Sequence, residues 1–411
     1  MTHSVKFRAA LLGIAIWLAC AAQTAFADDW PVFRGPQRNG ISSETAWVSK
    51  WTTTPNQLWK ASVGEGLTSV TVKAGRLFVV GHAQGKDTVF CFDANTGAEV
   101  WKFSYFAPAL SATKPDYPGP RATPTVNADE VYTLSRDGQV FCLIAATGKV
   151  KWSQNIVKDL GLRTPAWGFA SSPLVLGNML ILNAGLAGLA LDKITGKPLW
   201  KSENGDAGFN TPIVIDQAGK QRLAMFNGEQ VVCVDAATGQ LLWRHPWKTM
   251  FKCNCADLVY SDGKLFVSSA YNFGSALLDI TGQSPKVVWQ NKEMQNHFPS
   301  SVLWNGYLYG CDGDPGNNAR LKCVQLATGQ TKWAEEALKF CSLMIADGKL
   351  IILTEKGELV IAQATPDKYT ELSRAQALGG PCWVVPVLAN GKTYARNNKG
   401  DLVCLDVTGG K

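Results

Sequence analysis

One string, T-G-x-x-x-W, recurs along most of this chain and decides what it can fold into. It occurs at Thr96-Gly97 with Trp101, Thr147-Gly148 with Trp152, Thr195-Gly196 with Trp200, Thr238-Gly239 with Trp243 and Thr328-Gly329 with Trp333. A stretched copy joins Thr281-Gly282 to Trp289. Successive tryptophans lie 51, 48, 43, 46 and 44 residues apart. A period in the forties built from short strands is the mark of a β-propeller rather than a helical solenoid. The third unit parses into four strands. Ser172 to Leu176 turns at Gly177-Asn178 into Met179 to Leu182, Leu189 to Asp192 follows, and after Thr195-Gly196 comes Pro198-Leu199-Trp200.

Two degenerate units follow. One has a turn at Asp347-Gly348, a strand over Leu359 to Ala362 and Tyr369 in place of the tryptophan. The last has Asn390-Gly391, Leu402 to Asp406 and Thr408-Gly409, and lacks a fourth strand. Near the start, Gln57-Leu58-Trp59-Lys60 reads as a fourth strand with no unit before it. Joining the two closes a ring and removes both exposed sheet edges. The expected fold is all-β, an eight-bladed propeller of four-stranded antiparallel blades over residues 57–411. Seven blades plus an irregular domain is the alternative.

Composition fits this class. With 46% apolar and 18% charged residues, the chain of 411 is neither disordered nor collagen-like. The net charge of +7 is mild and scattered, which argues against a nucleic-acid partner. Residues 1–27 read as an export signal. Lys6 and Arg8 precede the apolar run Ala9 to Ala22, and Ala25-Phe26-Ala27 places small residues where a signal peptidase cuts, before Asp28. That run is short of the roughly 20 residues a spanning helix needs. An uncleaved anchor, or lipidation at Cys20 after Leu18-Ala19, is the less favoured reading. Residues 28–56 are expected to be an extended segment packed on the propeller of a monomeric, periplasmic or secreted protein.

The motif residues have structural reasons. The Thr-Gly pair makes a tight turn with positive φ at glycine. The tryptophan buries its ring against the neighbouring blade and still pairs its indole N–H. Cys91, Cys142, Cys233, Cys323 and Cys404 share one repeat position with Ala190, Ala276 and Ile361, so they read as packing thiols. Cys253, Cys255, Cys311, Cys341 and Cys382 are left, and pairs among them stay open.

In a propeller the first strand of each blade lines the axis. Aligned on their first turns, the units give one ring of Leu67, Arg121, Ala170, Phe209, Cys255, Phe298, Phe340 and Trp383. The ring one residue earlier holds Gly66, Pro120, Phe169, Gly208, Asn254, His297, Lys339 and Cys382. From these and their neighbours, Arg121, Trp167, Phe169, Asn210, Asn254, Asp257, His297, Lys339 and Trp383 are the candidate ligand-binding residues at a channel mouth. Aromatic faces and cations suit a flat, anionic ligand. The plainer reading is that the aromatics plug the channel and the cations reach water. Four histidines spread over the chain, one of them in the leader, point to no metal site.

The strings Phe92-Asp93-Ala94-Asn95-Thr96-Gly97 to Trp101 and Val234-Asp235-Ala236-Ala237-Thr238-Gly239 to Trp243 resemble the repeat of pyrroloquinoline quinone (PQQ) dependent dehydrogenases. Asp29-Trp30-Pro31-Val32-Phe33-Arg34-Gly35-Pro36 and Trp167-Gly168-Phe169-Ala170-Ser171-Ser172-Pro173 resemble exported bacterial PQQ-like repeat proteins. The same repeat builds the propeller lipoprotein of the outer-membrane β-barrel assembly machinery, which binds proteins and no quinone. Quinoprotein dehydrogenases carry a vicinal Cys-Cys pair, and Cys253-Asn254-Cys255 is the nearest match. Of their calcium and base set only Asn254 and Asp257 have plausible counterparts, and no C-x-x-C-H haem string is present. The resemblance implies a non-catalytic binding or scaffold propeller of the cell envelope, with a protein partner or a small anionic or aromatic ligand. The alternative is a PQQ- and Ca²⁺-dependent alcohol or sugar oxidoreductase.

Overall fold

The computed structural model describes Met1 and residues 28–108, 119–217, 219–316 and 318–409. The export signal, its cleavage point and Cys20 lie outside these residues. Among the described residues every regular element is a strand, and no helix is long and apolar enough to cross a membrane. The strands form eight antiparallel sheets arranged as blades 1 to 8. Blades 1 to 7 span residues 71–106, 125–155, 174–201, 213–246, 259–291, 302–335 and 341–376. Blade 8 takes Val387–Ala389, Lys392–Arg396 and Asp401–Asp406 from the C-terminal end and its outer strand, Gln57–Ser62, from near the start. The eight-bladed ring with a shared closing blade is therefore present.

The motif residues form a repeated latch. In six blades the small slot residue sits across the sheet from its own blade's tryptophan, as Cys91 from Trp101, Cys142 from Trp152, Cys233 from Trp243 and Cys404 from Trp59, whereas in blade 5 Trp289 faces Leu277 and the expected slot residue Ala276 faces Gln290. All five slot cysteines are buried and free. Each indole then crosses to the next blade. Trp59 donates to the Ala94 carbonyl at 3.1 Å, Trp101 to Ala145 at 2.8 Å, Trp152 to Lys193 at 2.9 Å and Trp200 to Ala236 at 3.2 Å. The same ring lies on the next blade's turn glycine. A Cβ on Gly97 would come within 2.6 Å of Trp59, and one on Gly148 within 2.6 Å of Trp101. Positive φ and ring contact both demand glycine there.

Blade 7 departs from the sequence expectation. Tyr369 precedes the outer strand Glu371–Gln376, and Ser373 stands opposite the slot residue Ile361. Tyr369 instead meets Trp333 of blade 6 edge-on at 5.8 Å. A longer turn pushes the tyrosine out of register. The place of the missing indole is served by the N-terminal segment, because the Ser373 hydroxyl accepts the backbone amide of Trp51 and donates to the Ser49 carbonyl.

Residues 28–56 cross the face that carries the first turns of the blades. Trp30 is buried and bridges Val72, Pro31 accepts from Val126, Ile41–Ser42 adds a parallel strand to blade 7, and Glu44 accepts the turn amides of Asn390 and Gly391. Between these contacts the segment sends Phe33 and Arg34 toward the axis, where Arg34 donates to the Ser301 carbonyl at 2.8 Å and faces Asp257 at 3.9 Å.

Candidate functional site

A cavity of about 250 Å³ lies on the axis, with Phe33 in its lining. The leads into the first strands supply most of its wall. Of the ring aligned from sequence, Leu67, Arg121, Ala170, Phe209, Cys255, Phe298 and Trp383 line the wall. Phe340 is buried and meets Phe298 and Trp383 edge-on at 6.3 Å. Phe298 and Trp383 stack at 5.6 Å.

Two residues further along the leads into six of the first strands lies a second ring, of which the sequence reading singled out only Asp257. It runs Ser69, Thr123, Ser172, Thr211, Asp257 and Ser300, and the amide of each member donates to the side-chain oxygen of the next blade's member. The five links measure 2.9, 3.0, 3.3, 2.8 and 2.8 Å in that order. The belt satisfies amides that no ladder serves, since strands of different blades do not pair here. Its signal was legible as a hydroxyl or carboxylate at one offset in six successive units.

The nine candidates divide into those that reach the cavity and those that do not. Arg121, Trp167, Asp257, His297 and Trp383 line the cavity. Phe169, Asn210, Asn254 and Lys339 do not. Phe169 is packed in the core between blades 2 and 3. Asn210 is buried, accepting the Phe226 amide at 2.9 Å. Asn254, between two cavity-lining cysteines, is fully buried, and its carbonyl oxygen accepts the Thr249 and Ser269 hydroxyls. Lys339 is exposed, one residue before the buried Phe340.

Charge is unevenly spread. Burial lowers the Arg121 guanidinium to about 10, still a cation at neutral pH, and its Nη1 donates to the Trp167 carbonyl at 2.7 Å. Burial pushes the Asp257 carboxyl up to about 6, against the pull of Arg34, the Thr211 amide and Arg38. Burial drives the His297 imidazole down to about 4, so it is neutral at pH 7.

One grouping was not expected from sequence. The sulfurs of Cys253 and Cys255 lie 3.4 Å apart, and a ring nitrogen of His297 joins them within 4.8 Å. The two cysteines sit two residues apart on the extended lead into blade 5, so both face one way. His297 comes from the lead into blade 6, some forty residues on, which hides the grouping in a linear reading.

The donor set does not suit a quinone-bound calcium ion. Calcium takes six to eight oxygens. Of the two carboxylates at the cavity, Asp257 spends one oxygen on the Thr211 amide and turns the other to Arg34. The Asn254 oxygen is already shared by two hydroxyls.

These features define a class: a closed eight-bladed propeller of PQQ-like repeats with an aromatic axial cavity. A family profile described as "Outer membrane protein assembly factor BamB" matches residues 44–167 and 118–335. That is well over half of the chain, and the chain belongs to this family. The BamB of Burkholderia pseudomallei (strain K96243) is 27% identical over 258 residues, which cover 59% of this chain and 60% of that relative. The chain thus spans less than two thirds of the length of the curated relatives it matches. The crystal structure of BamB from Moraxella catarrhalis is similar at a TM-score of 0.64 and 13% identity, covering 86% of this chain and 99% of that one. Quinohemoprotein alcohol dehydrogenase from Comamonas testosteroni is similar at a TM-score of 0.75 and 14% identity, covering 96% and 82%. At such identities the two structures speak to the fold alone.

Proposed function

We propose that this protein is a non-catalytic binding propeller of the cell envelope, exported and monomeric, that holds a protein partner as outer-membrane assembly factors do. The observation that carries this reading is the family match together with a cavity whose carboxylate Asp257 is already committed to the fold. Asp257 is a link in the hydroxyl belt and the partner of a buried arginine, and so is not free to serve as a base or a calcium ligand. The leader over residues 1–27 delivers the chain, and residues 28–56 serve as a packed extension of the ring. Arg121, Trp167, His297 and Trp383 remain the proposed small-ligand contacts at the axis.

Two measurements test this. In the organism of origin, loss of the gene is expected to lower the steady-state amount of folded outer-membrane β-barrel proteins, with restoration by the intact gene. In vitro, PQQ with excess Ca²⁺ is expected to leave the melting temperature unchanged and to give no dye reduction with alcohols or sugars. A ligand at about 100 times its Kd stabilises by about 2.7 kcal/mol, a visible shift. A shift with turnover, both lost on Arg121→Ala, would overturn the scaffold reading in favour of a dehydrogenase.

A further inference from the structure

The thiol and imidazole grouping at the axis is more than packing. Cys253 and His297 are each more than nine-tenths buried, and Cys255 opens onto the cavity that all three line. His297 is held from two sides. Phe298 stacks on its ring at 3.8 Å, and the Tyr271 hydroxyl lies 2.9 Å from Nε2. With Nε2 engaged, Nδ1 is left buried with no hydrogen-bond partner. A buried nitrogen without a partner is costly, and its lone pair is available to a cation. The chain has a second close pair of cysteines, Cys311 and Cys341, with the Cys341 amide 3.4 Å from the Cys311 sulfur, but no imidazole joins it. Only the axial pair carries a third ligand among the described residues.

We propose that Cys253, Cys255 and His297 form a binding site for one thiophilic d¹⁰ cation, Zn²⁺ or Cu⁺, with a fourth coordination position open to the axial cavity. Two sulfurs and an imidazole nitrogen are the donors these ions prefer. Zinc–sulfur bonds of about 2.3 Å at a tetrahedral angle set the sulfurs ~3.8 Å apart. The observed 3.4 Å needs only a small opening, far less than a linear two-sulfur site would require. Tyr271 takes the place of the outer partner that orients a ligating histidine. Arg121, across the same cavity, would draw an anion to the open position. Ion binding releases the thiol protons to solvent, and no oxidant or reductant is involved. The site stands independently of the scaffold reading, since either a scaffold or an enzyme accommodates it.

The test uses the full chain, reduced and stripped of metal, titrated separately with Zn²⁺ and Cu⁺ against chromophoric chelators. One equivalent of tight binding is expected for at least one ion, and the ion that wins the competition identifies which of the two the site takes. Co²⁺ is expected to give an intense sulfur-to-metal charge-transfer band on the same protein, lost in Cys255→Ser. Tyr271→Phe is expected to weaken binding by about 10–100-fold while the fold is kept. Cys91→Ala, in a slot remote from the axis, is expected to leave binding unchanged. Failure of both ions to bind at one per chain overturns the site, as does binding that survives Cys255→Ser. A Cys253–Cys255 disulfide that reforms in the presence of Zn²⁺ overturns it as well.

Discussion

At the scale of single residues, the repeat is a contact rather than a consensus. The turn glycine and the preceding blade's indole occupy one volume, and this separates two glycines with the same backbone. Gly75 and Gly148 have φ of +72° and +70°, but a Cβ on Gly75 would meet nothing within 4 Å, whereas one on Gly148 would strike Trp101. Alanine at either position carries the left-handed penalty of about 1–2 kcal/mol. Gly148→Ala is expected to add about 1–3 kcal/mol of overpacking. Urea midpoints of the two variants measure the difference, and equal losses would show that the ring contact is slack. The indole N–H separates two tryptophans in the same way. Trp152 donates to Lys193, whereas the N–H of Trp243 has no partner and the Gln217 amide donates to the equivalent Ile280 carbonyl at 2.6 Å. Trp152→Phe is therefore expected to cost about 0.5–1.5 kcal/mol more than Trp243→Phe, the net worth of one hydrogen bond.

At the scale of the element, the turn between the third and fourth strands ties five blades to pH. Asp93, Asp192, Asp235, Asp279 and Asp406 each accept the amide and hydroxyl of the following threonine, at 2.9 and 3.1 Å for Asp93. These hydrogen bonds hold all five carboxyls below the ordinary value of 3.8. A carboxyl depressed in the folded state contributes stability that is complete above its unfolded pKa and is lost as pH falls through its folded one. The contribution of these five turns to the melting temperature is therefore expected to be constant from pH 7 to 5 and to be lost below about pH 4. Replacing the five aspartates by asparagine is expected to flatten that acid limb, and an unchanged limb would locate the acid sensitivity elsewhere. These turns were legible in the sequence because each carries its whole mechanism within five residues. Blade 7 was not, because Tyr369 mimics the missing tryptophan while the register gives the place to Ser373. The axial residues were legible only in part. Choosing Leu67, Arg121 and Phe298 as a ring found the wall. Of the ring one residue earlier, Asn254 and Lys339 turn away from the cavity while His297 reaches it. The Cys253, Cys255 and His297 grouping joins two blades, and the stretch from Trp247 to Cys255 departs from the repeat, so no periodic signal pointed to it.

At the scale of the whole molecule, the ring is continuous in space but not in sequence. Every junction between successive blades is bridged by the covalent chain, since Gln57–Ser62 of blade 8 runs on into blade 1. Within blade 8 only hydrogen bonds and packing join the strand Gln57–Ser62 to Asp401–Asp406. The latch there is reinforced. Trp59 contacts Phe92 and Tyr394, with ring centroids 6.3 and 5.9 Å away. The buried Arg396 of blade 8 donates to the carbonyls of Thr68, Val80 and Gly64, which lie in or just before blade 1. Truncating a buried tryptophan costs about 3–5 kcal/mol wherever it sits, so Trp59→Ala and Trp152→Ala are expected to lose similar melting temperature. Their association behaviour should differ. Loosening the blade 2 latch leaves every strand tethered to its neighbours by short turns. Loosening the blade 8 latch frees an outer strand that no turn tethers and exposes the unpaired edge of Asp401–Asp406, a template for pairing with another chain. Light scattering over a range of protein concentrations is expected to show oligomers for Trp59→Ala and monomers for Trp152→Ala. Equal association by both variants would mean that the closing blade is no weaker than the others, and that the N-terminal segment, through Trp30, Ile41 and Glu44, holds the ring shut without the Trp59 latch.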